Sequence, residues 1–211
     1  QETLDWYEEK DDEGLKIWVG WGLALVDFDA DGNLDMAATA GPTPDQGTVF
    51  ASTAHEFQPD WMWRGQPDGT FSSVVGSVAF GSPDAHYGLV SADLDGDGFR
   101  ELIVGSAEGP PVIWNNPCGS GSWLEVQLVG PGDNRQGYGS RVSVEAGSDR
   151  WIQELHALIA GGQSPASLHF GLGNHTTVDS ITVKWLDGEE TLVDDFTPNR
   201  VVTVYHPDVE R

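Results

Sequence analysis

Residues 27 to 40 read DFDADGNLDMAATA, with four aspartates in nine positions followed by a strand-like apolar tail. The pattern returns at residues 93 to 107 as DLDGDGFRELIVGSA. Around it, GWGLALVDFDADGNLDMAATAG matches HYGLVSADLDGDGFRELIVGSAEG. Gly22-Leu23 aligns with Gly88-Leu89, Asp27 with Asp93, and Asp35 with Glu101, an internal repeat spaced by 66 residues. The runs GLALV and LDMAATA are apolar at successive positions, which predicts strands buried on both faces.

Within the first loop, Asp27, Asp29, Asp31, Asn33 and Asp35 occupy positions 1, 3, 5, 7 and 9 of D-x-D-x-D-G-x-x-D. Alternate residues of a tightly coiled loop point at one centre. Gly32, at position 6, permits the turn that brings in the carbonyl of Asn33. The second loop repeats the set with Asp93, Asp95, Asp97, the Phe99 carbonyl and Glu101. Carboxylates converging this closely repel one another unless a cation sits among them. A hard cation with six to eight oxygen ligands, Ca²⁺, fits the set, and about two ions are expected, one per loop; Mg²⁺ demands a stricter octahedron. An EF-hand is excluded, because position 12 is Ala38 in one loop and Val104 in the other.

The rest of the chain supports an all-β protein. Short β-branched and aromatic runs alternate with Gly, Asp and Pro turns. DRWIQELHALIA, the best helical candidate, reads equally as a strand. DWMWRGQPDGTFSSV reads as a hairpin turning at Pro67-Asp68-Gly69, with Trp61, Trp63 and Phe71 on one face or cross-strand, and PPVIWNN matches its first strand. Gly, Ser and Pro at NNPCGSGS mark a shift near residue 116. Residues 1–116 are expected to hold the two calcium-binding repeats and residues 117–211 a separate β domain. The latter contains WLEVQLVG, GSRVSVEAG, WIQELHAL, ASLHFGLG, DSITVKWLDG and RVVTVYH, strands at sandwich-like spacing. Asp187-Gly188 is expected at a hairpin turn.

The 34 acids and 10 bases leave a formal charge of -24, which repels phosphate backbones and anionic membranes. No nucleic-acid partner and no membrane insertion are expected, and no apolar run reaches a membrane span. The run from Glu8 to Glu13 is expected to be solvated. The chain opens on Gln1 without a signal peptide, which fits a processed chain or an excised fragment. Cys118 is the only cysteine, so no intrachain disulfide forms.

No catalytic constellation emerges. His55, His86, His156, His169, His175 and His206 lack zinc-site spacing, and GGQSPAS lacks the second glycine of a nucleophile elbow. His169 reads as a packed strand residue. Trp18, Trp21, Trp61, Trp63, Trp114, Trp123, Trp151 and Trp185 lie in or beside expected strands and read as packing residues; exposed together, they would stack on sugars. Asn174-His175-Thr176 has the form of a glycosylation sequon.

On the acidic loops, residues 20–116 resemble FG-GAP/VCBS repeats. On NRQGYGSRVSV (134–144), LHFGLGNHTTVDSITVKW (168–185) and the Asp-Gly turn that follows, the C-terminal part resembles the ASPIC/UnbV domain. The order of the two is similar to that of the cartilage acidic protein family and its secreted bacterial relatives. The resemblance implies propeller-blade-like repeats followed by an antiparallel sandwich-like domain. It also implies a secreted or cell-surface, calcium-stabilised protein of adhesion or matrix type, without catalysis. Two features depart from the family: Leu186-Asp187-Gly188 replaces a Pro-Ser-Gly turn, and two loops are too few for a propeller, which needs at least four blades. The two units are therefore expected to pack on the C-terminal domain, to belong to a larger precursor, or to complete themselves against another copy. The partner is expected to be an extracellular protein or a glycan. The alternatives are a self-assembling structural subunit of a multimer or filament and a carbohydrate-binding module.

Overall fold

A computed structural model describes residues 10–11, 14–15, 19–41, 59–74, 85–107, 109–116, 119–157 and 161–210. The readings of Trp18, His55, Cys118 and most of the run from Glu8 to Glu13 lie outside these residues. The described residues form strands and no helix. In chain order the strands are β1 Lys10–Asp11, β2 Gly14–Leu15, β3 Gly20–Val26, β4 Asp35–Ala40, β5 Trp61–Gly65, β6 Phe71–Ser73, β7 His86–Ala92 and β8 Glu101–Ser106. They continue with β9 Val112–Trp114, β10 Ser122–Val129, β11 Arg141–Ala146, β12 Asp149–Glu154, β13 Ser167–Gly173, β14 Val178–Lys184, β15 Glu190–Phe196 and β16 Arg200–Tyr205.

β1 and β2 form a two-residue antiparallel pair. The next seven strands make two antiparallel blades, in the orders β3-β4-β5-β6 and β7-β8-β9. The 66-residue repeat survives at the level of register. The pairs from Leu23↔Ala38 to Val26↔Asp35 recur as Leu89↔Val104 to Ala92↔Glu101, and each ladder slips at the equivalent place, after Gly20 and after His86. Trp63 pairs with Met36 as Trp114 pairs with Leu102, which matches the expected equivalence of WMWRG and PPVIWNN. Gly65 pairs with Phe71 across the expected hairpin, and the Trp61 and Trp63 rings stack at 5.8 Å. Ala24, Val26, Phe28, Ala37, Leu89, Leu102 and Val104 make one core shared by the two blades. A buried pair joins them: Asp60 accepts from the Ala40 N–H (3.0 Å) and holds His86 Nδ1 at 2.5 Å. Pairing is what makes two such polar groups tolerable inside.

The C-terminal strands form two packed sheets, β13-β10-β16 and β12-β11-β14-β15. Alternation dictates their core. Leu124, Val126 and Leu128 of β10 and Leu168, Phe170 and Leu172 of β13 pack with Val142 and Val144 of β11 and Ile181 and Val183 of β14. DRWIQE is a strand rather than a helix, pairing with β11 along its length. Asp187-Gly188 turns as expected: Gly188 has φ 97°, and the Trp185 N–H donates to Glu189. One pairing departs from an all-antiparallel domain. β16 runs parallel to β10, from Leu124↔Arg200 to Val129↔Tyr205. A parallel neighbour needs a long crossover, and here the whole domain between the first and last strands supplies it.

Candidate metal centres

Each acidic loop links the first two strands of its blade, so its ends are fixed by a ladder. In loop 1 (Asp27 to Asp35) the Asp27 carboxylate accepts from the Gly32 N–H (2.7 Å), and Asp35 Oδ2 accepts from the Phe28 N–H (2.8 Å). In loop 2 (Asp93 to Glu101) Asp93 accepts from the Gly98 N–H (2.9 Å), and Glu101 Oε2 from the Leu94 N–H (2.8 Å). Positions 4 and 6 are left-handed in both: Ala30 (φ 55°) and Gly32 (φ 97°), Gly96 (φ 80°) and Gly98 (φ 91°). The coil turns one carboxylate oxygen each of Asp27, Asp29 and Asp35 to within 4.8 Å of one another, and does the same for Asp93, Asp95 and Glu101. Two oxygens bound to one Ca²⁺ at about 2.5 Å lie within about 5 Å of each other, so both triads fit such an ion.

Asp31 and Asp97 are in the loops but outside these carboxylate triads, and Asn33 and Phe99, expected to offer backbone carbonyls, follow them at position 7. Asp31 Oδ1 accepts from the Asn33 backbone and side-chain N–H groups (2.9 and 2.8 Å), and Asp97 Oδ1 from the Phe99 N–H (2.8 Å). These are Asx turns, the habit of aspartate two residues before an N–H.

The electrostatics bear on a cation. Burial, assisted by the neighbouring carboxylates, pushes Asp27 up to about 7 and Asp35 up to about 6. Arg64, from β5, lies over loop 1, with Nη2 2.5 Å from Asp29 and 3.0 Å from Asp31. Those hydrogen bonds and charges hold its guanidinium above its ordinary value. Asp35 Oδ1 accepts from the Gly65 N–H at 2.8 Å. In loop 2 the corresponding Glu101 Oε1 is buried and, among the described residues, has no hydrogen-bond partner. A buried carboxylate oxygen left bare is costly, and a cation at the triad would satisfy it.

Both loops lie against the C-terminal domain, and strand β13, SLHFGLG, carries much of that contact. Its even-numbered residues Leu168, Phe170 and Leu172 fill the sandwich core. Its odd-numbered residues meet the loops. Ser167 Oγ accepts from Arg100 Nη2 (2.9 Å), His169 Nε2 bonds the Gly98 carbonyl (2.8 Å), and the Gly173 N–H donates to Ala30 (2.9 Å). A Cβ at Gly171 would collide with the Asp27 carboxylate and reach the Ala30 Cα at 2.6 Å, so only glycine lets loop 1 sit there. Burial, with the nearby Arg100 charge, holds His169 down at about 4; the ring is neutral and Nε2–H is the donor. His169 is thus packed, as expected, but it also grips loop 2. From β12, Trp151 Nε1 donates to the Gly32 carbonyl (2.9 Å). Arg100 is buried and lies 3.6 Å from Glu125, and Asn116 Nδ2 donates to the Phe28 carbonyl (2.7 Å).

Sequence reasoning missed Arg64, Arg100, Asn116, Trp151 and His169 as parts of this site. Two left a signal: Arg100 stands inside the second acidic loop, and Arg64 one residue past Trp63.

A family model described as ASPIC and UnbV matches residues 130–211. One described as an FG-GAP-like repeat matches residues 48–104, which takes in loop 2 and not loop 1. No curated protein matches the chain. Loop 1 is tied to the same repeat type by its register, which follows loop 2 pair by pair, and by the bonds that Asp27 and Asp35 share with Asp93 and Glu101. The chain therefore carries FG-GAP-like repeat structure followed by an ASPIC/UnbV domain.

Proposed function

We propose that this chain is an extracellular, non-enzymatic interaction module of adhesion or matrix type, stabilised by Ca²⁺ at the two acidic loops. The observation that carries the metal reading is Glu101 Oε1, buried beside Asp93 and Asp95 and without a hydrogen-bond partner among the described residues. Asp93, Asp95 and Glu101 would hold one ion, and Asp27, Asp29 and Asp35 another. The Asn33 and Phe99 carbonyls and the Asp31 and Asp97 carboxylates would complete the two shells, as the spacing of the loops implies. Bound Ca²⁺ supplies counter-charge to the clustered acids, beyond what Arg64 gives loop 1, and so holds the strands of each blade together. The two domain types support the adhesion reading and the extracellular site. The residual acidity favours a basic protein surface over nucleic acid as partner. No described tryptophan is exposed, so the sugar-stacking alternative draws no support from them.

The test is thermal unfolding with Ca²⁺ and with EDTA. A ligand that binds the folded state at 100 times its dissociation constant adds about 2.7 kcal/mol, so the melting temperature should rise by several degrees with Ca²⁺. Asp29→Ala should remove part of that rise. Identical melting in the two buffers would refute the metal reading.

A further inference from the structure

We infer that the ASPIC/UnbV domain is the outer shell of both cation sites, with Trp151 and His169 as positioning residues that couple cation binding to docking of the two halves. This rests on the Ca²⁺ reading above and identifies residues outside the loops that regulate it.

One peptide plane in each loop is held at both ends. The Gly32 carbonyl accepts from Trp151 Nε1 (2.9 Å), while the next N–H, that of Asn33, donates to Asp31 Oδ1 (2.9 Å). The Gly98 carbonyl bonds His169 Nε2 (2.8 Å), while the Phe99 N–H donates to Asp97 Oδ1 (2.8 Å). A peptide unit is rigid, so fixing its carbonyl also aims its N–H and the carboxylate that N–H orients. The same plane leads into the residue whose carbonyl occupies position 7. The two donors differ in chemistry and come from different strands, β12 and β13, yet both act on position 6. Neither lies in the 66-residue repeat.

The donors are themselves held. His175 packs edge-on against Trp151 at 5.6 Å and binds Asp149 at 2.8 Å, while the Trp123 ring lies parallel to His169 at 6.4 Å. Groups hydrogen-bonded directly to metal ligands change affinity by about 10–100-fold when removed; Trp151 and His169 act one peptide plane further out, so the low end of that range is expected. Linkage is reciprocal: whatever the docked domain contributes to cation affinity, the cation returns to docking. Plain interface packing makes a different prediction. It would let Trp151→Phe destabilise the loaded and Ca²⁺-free protein equally and leave Ca²⁺ affinity untouched.

The experiment is calorimetric titration of the full chain with CaCl₂. Asp29→Ala or Glu101→Gln backgrounds silence one loop at a time. Trp151→Phe keeps the ring and loses the N–H; it should weaken loop 1 about tenfold and spare loop 2. His169→Leu should weaken loop 2 alone, and His169→Gln, which keeps a donor, should recover most of the loss. In parallel, Ca²⁺ should slow hydrogen exchange of the Trp151 indole N–H and the Gly173 amide in the unsubstituted protein, a readout that needs no variant to fold. Wild-type affinities in Trp151→Phe and His169→Leu, or unchanged exchange on adding Ca²⁺, would overturn the coupling while the metal reading stands. A wild-type chain that takes up no Ca²⁺ would overturn both.

Discussion

The two acidic loops share a ladder, a coil and left-handed positions, yet they meet their charge differently. Loop 1 partners part of its acid from within the protein, although burial and mutual repulsion still raise Asp27 and Asp35. Arg64 lies across Asp29 and Asp31, and both oxygens of Asp35 accept backbone N–H groups. Loop 2 has a buried cation of its own, Arg100, beside Glu125. In loop 2 the residue past the paired tryptophan is Asn115 rather than Arg64, and Asn116 stands where Gly65 does. Asn116 directs its amide to the Phe28 and Arg100 carbonyls instead, and Glu101 keeps one oxygen without a partner among the described residues. A repeat can therefore preserve the backbone of a cation site while its surroundings decide how strongly each copy demands the ion.

The sharpest test of that difference is the closing acid. Glu101→Gln should lower loop 2 Ca²⁺ affinity by about 100-fold, since ligand charge sets affinity over decades. Asp35→Asn should cost loop 1 clearly less, because its oxygens already have partners. Equal losses in titration calorimetry would break the comparison.

Next in size is the contact with the C-terminal domain. Gly96 and Gly98 are both left-handed, but a Cβ at Gly96 meets open space, whereas one at Gly98 would enter the Trp123 ring. Gly98→Ala should cost about 3 kcal/mol in denaturant unfolding, and Gly96→Ala about 1 kcal/mol, the backbone strain alone. Similar costs would mean that loop 2 does not dock as described.

A pH series addresses loop 1. Asp27 and Asp35 are raised in the fold, to about 7 and about 6, above an ordinary 3.8. The folded state therefore binds protons more tightly than the unfolded chain. That stability is fully present below about pH 4 and is lost as pH rises through 6 and 7. In EDTA this pair should lower the melting temperature by about 5 °C across that window. Asp27→Asn should flatten the slope, and so should Ca²⁺ at the upper end.

The smallest effect belongs to Arg64. Its ion pairs are half-exposed and worth up to about 1 kcal/mol. Arg64→Gln should tighten Ca²⁺ binding at loop 1 by a few-fold, as a competing cation is removed, and leave loop 2 unchanged. Weaker binding at loop 1 would show that the guanidinium supports the site rather than competing for it.

Much of the fold was legible in local pattern. Asp187-Gly188, Pro67-Asp68-Gly69 and the 2-residue alternation of VQLV and LHFGL are short-range signals, and short-range sterics set them. The acidic loops were legible for the same reason: position 6 must be left-handed, and the acids recur at every second residue. The parallel closure of β16 on β10 was not legible, because it joins strands whose local sequences look like those of any antiparallel pair.

The sequence by itself determined two coiled acidic turns and a β class, but not the burial of the first blade: GLALV was expected to be buried on both faces, and Leu25 is 53% exposed. Only the tertiary structure decided what those turns rest on. Trp151 meets Gly32 across 119 residues and His169 meets Gly98 across 71, so no window of sequence contains either pair. It also decided the second use of SLHFGLG. Half of that strand was readable as core from its leucines and phenylalanine. The other half, Ser167, His169, Gly171 and Gly173, shows its purpose only when the loops are laid against it, since a glycine's reason is the atom that approaches it.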